Sequence, residues 1–222
     1  MQTNKEKNMK LTHFRLAFVA LWAFLTLNPL SARGDEMIVR CVAFYNLENL
    51  FDTIHDEGKN DYEYLPDGGM KWTKFKYEQK VQNMAYAIAQ LGTDEDPRGA
   101  AVVGVSEVEN IGCLHDLCKE LKEKHNRNYV PILLEGPDRR GIDVGLLYNP
   151  DMFKPVGQPK GYELKAHYAD GGVVRSRLQL WVSGYMLDDN RKIVMDKVHF
   201  SINHWPSRSG GEESSRATRD TA

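Results

Sequence analysis

The chain has 222 residues, of which 41% are hydrophobic and 27% are charged. Its length and composition predict one sizeable globular core and exclude a disordered chain. The formal net charge is only −2 at pH 7, which excludes a polycationic tail of the kind that binds nucleic acid non-specifically. Any affinity for anions must therefore come from a few local groups.

The N-terminal residues 1–32 have the pattern of a secretory signal peptide. Lys10 and Arg15 precede a short apolar run at 16–27, and small residues follow before the chain becomes polar. The run is short for a membrane-spanning helix. We therefore expect secretion or export to a periplasm, with an uncleaved N-terminal anchor as the alternative. The mature domain at 33–222 would hold 25 basic and 30 acidic residues, a net charge of −5.

The three cysteines do not form a disulfide framework. Their number is odd and their spacing shows no repeat. Cys41 lies in an apolar run, where a buried thiol is the expected state. Cys113 and Cys118 are five residues apart on a predicted helix and do not share a face. No second Cys or His pair accompanies them, so a zinc site is not expected.

Strands and helices alternate along the first part of the predicted domain, and several strands follow. An apolar run predicts a first strand at 38–45, and helical spacing predicts a helix at 73–91. A second helix is expected after Asn110, and further strands are expected at 100–105, 129–134, 142–148, 177–186 and 193–202, the last two as an antiparallel pair. This order predicts a layered α/β fold with a mixed sheet.

Polar side chains follow three of these strands where they end. Asn46 and Glu48 come after the first strand, Glu107 after an interior one, and His204 after the last. Ligand sites of open α/β sheets gather at such strand ends. Mg²⁺ takes one or two carboxylates and completes its shell with water and phosphate oxygens. Glu107, with Glu48, is therefore a candidate metal ligand, although a carboxylate can equally accept backbone N–H bonds and an asparagine can simply cap a turn.

Other polar residues suit an anionic substrate. Arg177 and Arg208 are candidate phosphate clamps, because a guanidinium fork matches phosphate oxygens. Asn203 stands beside His204, whose imidazole can protonate a departing alkoxide. Asp143 could hold that histidine in one tautomer, and a salt bridge from Asp143 to a neighbouring arginine is the alternative.

Four segments in this order, at 44–52, 104–110, 140–148 and 202–208, give the chain a specific resemblance. It resembles the endonuclease/exonuclease/phosphatase family, also called deoxyribonuclease I-like. The resemblance implies a four-layered α/β sandwich and a Mg²⁺-dependent phosphoesterase of nuclease or phosphatase type, with Mn²⁺ or Ca²⁺ as alternative ions. It implies a phosphate-ester substrate, which could be a nucleic acid, a phospholipid headgroup or a small phosphate ester. No protein partner is implied, and we expect a monomer.

The resemblance also implies individual roles. Glu107 matches the metal-binding glutamate of the family, and Asn46 matches an asparagine near that metal and the phosphate. Glu48 stands where some members have a second acid. His204 matches a histidine that contacts the phosphate and assists the leaving group. Arg177 is similar to an arginine on the corresponding strand.

Two downstream motifs of the family, Gly-Asp-x-Asn and Ser-Asp-His, do not occur in this sequence. They supply the Asp-His pair credited with activating water. The last residues, 211–222, have the pattern of a helix that is only beginning, so we expect the polypeptide to be truncated at its C-terminus. A non-catalytic module that binds a phosphate ligand on the same scaffold is the rival hypothesis.

Overall fold

A computed structural model of the chain describes residues 37–164, 172–173, 176–205 and 216. The description below concerns the unit that begins at Val39. The predicted signal peptide, Arg208 and the predicted terminal helix lie outside the described residues. Among the described residues, no helix is long and apolar enough to cross a membrane.

The first sheet has four strands in the order β1-β2-β4-β3. The strands are β1 at Val42–Leu50, β2 at Val102–Val108, β3 at Val130–Leu133 and β4 at Asp143–Tyr148. β1 and β2 are parallel, and the other pairs are antiparallel, so the sheet is mixed as predicted. β2 is central and almost wholly buried, in keeping with its continuous apolar sequence.

Two helices cover one face of this sheet. Helix α1 spans Lys74–Ala89, and the Thr73 side chain caps it by accepting a bond from the Lys76 N–H. Helix α2 spans Ile111–His125 and is capped by the Asn110 side chain. Their apolar faces and the sheet form a core that includes Val81, Ala85, Ile88, Val103, Val105, Leu114, Leu117, Leu121 and Leu147.

A second sheet packs on the opposite face of the first. Its strands are β5 at Phe153–Pro155, β6 at Lys160–Tyr162, β7 at Gln179–Met186 and β8 at Val198–Ile202. The other three strands each pair with β7 in antiparallel fashion, and β8 forms the predicted hairpin with β7. The core between the sheets includes Val102, Val144, Leu146, Phe153, Leu180, Val182 and Ile202. The predicted layered α/β sandwich is therefore confirmed.

Several strand limits differ from the prediction. β1 continues to Leu50 and β2 to Val108, because backbone pairing persists past the last apolar residue of each run. The last strand begins at Val198 rather than at residue 193, and Arg177 precedes β7 instead of lying within it. β5 and β6 were not predicted, since three residues are too few to show a period.

An ionic network ties the start of β1 to the β7–β8 turn. The Asp96 carboxylate pairs with Arg40 at 3.2 Å and with Arg98 at 2.7 Å, and Arg40 also reaches Asp189 at 2.7 Å. The Asp96 and Arg40 side chains are each only 8% exposed. Removing one partner of such a group leaves the others desolvated and without compensation.

We expect Asp96→Ala to lower the free energy of unfolding by about 2 kcal/mol at neutral pH. The Arg98 hydrogen bond holds the pKa of Asp96 below its ordinary value of 3.8. The stabilisation is therefore fully present above that ordinary value and is lost as the pH falls through the lowered one. Urea unfolding at neutral and at acidic pH measures this difference, with Asp94→Ala, an exposed acid of the same loop, as the control. Equal stability of Asp96→Ala and Asp94→Ala at neutral pH would contradict the expectation.

Candidate functional site

Backbone bulges shape the strand ends where the sequence places its polar residues. The register of β1 with β2 shifts between Asn46 and Leu50, and Glu48 lies in this bulge with a φ of 52°. The register of β2 with β4 shifts between Ser106 and Val108, and Glu107 has a φ of 58°. Bulges re-aim side chains beside active sites, and a left-handed non-glycine residue costs of order 1 kcal/mol or more. Both candidate metal ligands therefore occupy strained positions.

Four side chains form a continuous polar chain next to these bulges. The Nε2 atom of His204 lies 3.3 Å from Oε1 of Glu107, and Nδ1 of His204 lies 2.9 Å from Nη2 of Arg177. Nη1 of Arg177 donates to Oδ2 of Asp138 at 3.3 Å. The Glu107 and His204 side chains are 18% and 23% exposed. The two residues that the sequence placed at separate strand ends thus share one half-buried pocket.

The hydrogen bonds of His204 define its tautomer. A guanidinium only donates, so Nδ1 of His204 must accept from Arg177. The ring proton of the neutral imidazole then resides on Nε2, which faces the Glu107 carboxylate. Burial, followed by the nearby charge of Arg177, lowers the pKa of His204 below its ordinary 6.5, while Glu107 acts in the opposite direction. At neutral pH the site therefore presents a neutral imidazole with a fixed N–H donor.

Asp143 does not occupy the position expected of it. The group at Nδ1 of His204 is Arg177, whereas Oδ1 of Asp143 accepts the backbone N–H of Gly136 at 3.0 Å. The alternative was a salt bridge from Asp143 to a neighbouring arginine. In the structure Asp138 makes this kind of contact, with its Oδ1 atom 3.9 Å from Nε of Arg140. Burial raises the pKa of Asp143 to about 7. The expectation that Asp143 fixes the tautomer of His204 is thus corrected, because the 136–141 turn takes up its carboxylate.

Arg177 is also used differently from the expectation. Both of its terminal nitrogens contact protein groups, His204 and Asp138, so the guanidinium orients the imidazole rather than standing free as a phosphate clamp. Asn203 donates to the carbonyl and hydroxyl oxygens of Ser201 at 3.2 and 2.9 Å. Its side-chain Oδ1 atom remains without a partner.

Asn46 and Glu48 lie in the β1 bulge, and both are exposed. Oδ1 of Asn46 accepts the Glu48 N–H at 2.7 Å, which is the capping arrangement considered as the alternative. Nζ of Lys80 donates to the Glu48 carbonyl at 2.7 Å. Burial lowers the pKa of Lys80, while Glu48 and Glu107 act to raise it. These electrostatic effects indicate that the Glu48 and Glu107 carboxylates are near the same ammonium.

Five buried side-chain polar atoms among the described residues lack a hydrogen-bond partner. They are Oδ1 of Asn49, Oγ of Ser106, Oδ2 of Asp143, Nε of Arg177 and Oδ1 of Asn203. Four of them belong to sequence neighbours of Glu48, Glu107 and His204 or to the residue bound to His204. Buried polar groups are normally satisfied, and exceptions of this kind are typical of sites that bind ions, water or substrate. This oxygen-rich environment with two glutamates fits a hard divalent cation.

A second acidic cluster lies close to the bulges. Ligand atoms of Asp52, Glu109 and Cys113 are within 4.8 Å of one another. The sequence did not predict this cluster. The three cysteines carry free thiols, and Cys41 is only partly buried rather than buried as expected. Burial raises the pKa of Glu109 to about 8 and that of Cys113 to about 12. A cation bound there would have to displace protons from both groups, so Glu107 and Glu48 are the better candidates for a hard metal.

The sequence interpretation missed Asp138 and Lys80, which contact the candidate residues directly. Asp138 reaches Arg177, 39 positions away, and Lys80 reaches Glu48, 32 positions away. The polar turn around Asp138 carries a weak signal, since an acid beside two arginines commonly binds one. Nothing in the helical pattern of α1 distinguishes Lys80 from its other lysines.

The layered α/β fold thus brings a glutamate and a histidine from two strand ends into one pocket. A profile of the Endonuclease/Exonuclease/phosphatase family matches residues 41–222, and the chain belongs to this family.

Two solved structures are similar to this chain. One is an endonuclease/exonuclease/phosphatase family protein from Bacteroides thetaiotaomicron, with 18% identity, a TM-score of 0.39, and coverage of 72% of this chain and 48% of that one. The other is a functionally unknown conserved protein from Enterococcus faecalis V583, with 14% identity, a TM-score of 0.37, and coverage of 72% and 50%. The chain thus spans about half the length of these structures. No curated protein matches it significantly.

Proposed function

We propose that the chain belongs to a secreted or periplasmic, monomeric, Mg²⁺-dependent phosphoesterase that hydrolyses a phosphodiester or a phosphomonoester. The observation that carries this proposal is the 3.3 Å approach of Nε2 of His204 to Oε1 of Glu107, the carboxylate that we propose as the metal ligand. Family membership supports the reaction class.

Glu107, with Glu48 beside it, would hold the ion. Oxygen ligands of this kind suit Mg²⁺, and Mn²⁺ or Ca²⁺ would accept them too. When bound, such an ion polarises a phosphoryl oxygen and stabilises negative charge on the leaving oxygen. The exposed Asn46 amide can still donate to a substrate oxygen, because its own Oδ1 atom is committed to the Glu48 N–H.

His204 contributes a hydrogen bond to the phosphate. Burial, followed by the charge of Arg177, lowers the pKa of His204 and favours the neutral imidazole. The hydrogen bond from Arg177 keeps the ring proton on Nε2. That N–H can turn from Glu107 to an oxygen of the substrate and stabilise charge there as the leaving group departs. The Asp-His motif that the family resemblance implies for activating water does not occur in these 222 residues.

The segment around Lys59 and Asn60 in the 52–71 loop lies against the 136–141 turn and is the part of the loop most able to select the substrate. The Asn60 N–H donates to the Arg139 carbonyl at 2.8 Å, and Lys59 reaches the Gly136 carbonyl at 3.1 Å. The loop carries aromatic rings as well as acids, and the acidic balance of the predicted mature chain favours a small phosphate ester or a phospholipid headgroup over tightly bound DNA.

Assays of the full-length protein on plasmid DNA, sphingomyelin and p-nitrophenyl phosphate, each with and without Mg²⁺, test the proposal. We expect Mg²⁺-dependent hydrolysis of at least one substrate, with DNA the poorest. Absence of turnover on all three, together with saturable binding of inorganic phosphate, would favour the non-catalytic module instead.

A further inference from the structure

The β1 bulge contains two successive residues in the left-handed region. Glu48 has a φ of 52° and Asn49 a φ of 62°. Asparagine tolerates this conformation because its short polar side chain can bond locally, but for glutamate it is uncommon. The surrounding structure must therefore hold this backbone in place.

Both polar backbone groups of Glu48 are bound by side chains. Oδ1 of Asn46 accepts its N–H at 2.7 Å, and Nζ of Lys80 donates to its carbonyl at 2.7 Å. The lysine bond is charge-assisted and therefore stronger than a neutral one. The bulge is thus held from the strand itself on one side and from helix α1 on the other.

Lys80 lies in a confined environment. Its ammonium is 6.0 Å from the centroid of the Trp72 ring, and the indole N–H of Trp72 donates to the Phe51 carbonyl at 2.8 Å. Helix α1 and the residue just before its cap therefore bind β1 at the bulge and immediately after the strand ends. Burial of the ammonium lowers the pKa of Lys80, against the effect of Glu48 and Glu107. A half-buried lysine is retained here at a desolvation cost.

We propose that Lys80 is a positioning residue for the active site, because its bond to the Glu48 carbonyl holds the strained bulge that presents Asn46 and the Glu48 carboxylate beside Glu107. This inference rests on the proposed function for its kinetic consequence. Its structural consequence, an ordered bulge, is independent of that function.

The chain offers a matched control one helical turn away. Lys76 lies on the same helix, and its Nζ atom donates to the Met70 carbonyl at 2.8 Å. Lys76 thus makes the same kind of bond to the end of the loop next to the helix, which carries none of the candidate ligands and does not include the Lys59–Asn60 segment. Lys80→Met and Lys76→Met remove equivalent charges, and only the first should affect the site.

The kinetic experiment uses the full-length protein with Mg²⁺ and whichever of the three assay substrates the wild type hydrolyses. We expect Lys80→Met to lower kcat by about 10- to 100-fold, as loss of a ligand-orienting partner does, with KM nearly unchanged. Lys80→Arg, which keeps a cationic donor, should recover most of the lost kcat, and Lys76→Met should match the wild type. Wild-type kcat in Lys80→Met, or an equal loss in Lys80→Arg, would overturn the inference.

Hydrogen exchange provides a readout that does not need activity. Peptides that cover residues 46–51 should exchange faster in Lys80→Met than in Lys76→Met, because the bulge loses one of its two restraints. Circular dichroism establishes that each variant is folded, and Lys80→Gln replaces Lys80→Met if the latter is not. Inactivity of the wild type would refute the proposed function alone, whereas unchanged exchange in Lys80→Met would refute the role of Lys80 alone.

Discussion

Replacing Glu107 by glutamine should reduce the Mg²⁺-dependent kcat of the full-length protein by about 10³-fold, the upper end of the range for loss of one group that stabilises charge in a transition state. Glutamine keeps the shape of the side chain and an oxygen that can accept the His204 N–H, which lies 3.3 Å away. It removes the negative charge that a hard cation requires. The loss therefore reports the role of the carboxylate as a metal ligand rather than its packing.

Initial rates measured across a range of Mg²⁺ concentrations test this expectation. Glu123→Gln, an exposed acid of helix α2, is the control and should leave the rate and the Mg²⁺ dependence unchanged. A near-normal rate in Glu107→Gln at the same Mg²⁺ concentration would exclude Glu107 as the ligand and would direct attention to the cluster of Asp52, Glu109 and Cys113.

Arg177→Met should lower kcat/KM by about 10- to 100-fold and should move the acid limb of the pH–rate profile to higher pH. Arg177 fixes the tautomer of His204 and, after burial, is the next cause of its lowered pKa. Without Arg177 the folded pKa rises towards 6.5 and the ring gains its second proton at a higher pH. Because the neutral ring is the form that the site holds, activity should then disappear earlier as the pH falls.

Profiles of kcat/KM between about pH 5 and pH 8 measure this shift. Asp138→Asn retains an oxygen that can accept from Arg177, so we expect a smaller loss and an acid limb close to that of the wild type. An acid limb that does not move in Arg177→Met would show that His204 is not the titrating group or that Arg177 does not set its pKa.

Long elements with a clear apolar period could be predicted from the sequence, whereas short elements and strand ends could not. Helix α1 and helix α2 have caps and apolar faces that local sequence displays, and the β7–β8 hairpin has two long runs around a turn. β1 and β2 were ended too early, because their final residues are polar while their backbones remain paired. An apolar pattern indicates which residues are buried. Backbone hydrogen bonds continue past the last apolar residue where a strand ends in polar residues.

The sequence predicted which types of residue form the site, but it did not predict which side chains bond to one another. The proximity of Glu107 and His204 depends on how the two sheets pack, because β2 and β8 belong to different sheets. The partner of His204 was assigned to Asp143, because a carboxylate is the usual neighbour of a histidine, and the structure places Arg177 there. Only the three-dimensional packing brings Arg177 between Asp138 and His204.

The most direct test of a shared pocket for Glu107 and His204 is the effect of Mn²⁺ on the proton NMR signals of the histidine rings. Mn²⁺ bound at Glu107 should broaden the His204 signal, which is assigned with the His204→Gln variant. The signal of His125 should broaden only at higher Mn²⁺ concentration, because His125 ends helix α2 about 20 Å from the start of that helix. The preferential broadening should disappear in Glu107→Gln. Equal broadening of both rings, or preferential broadening of His204 that persists in Glu107→Gln, would contradict a metal site formed by Glu107 beside His204.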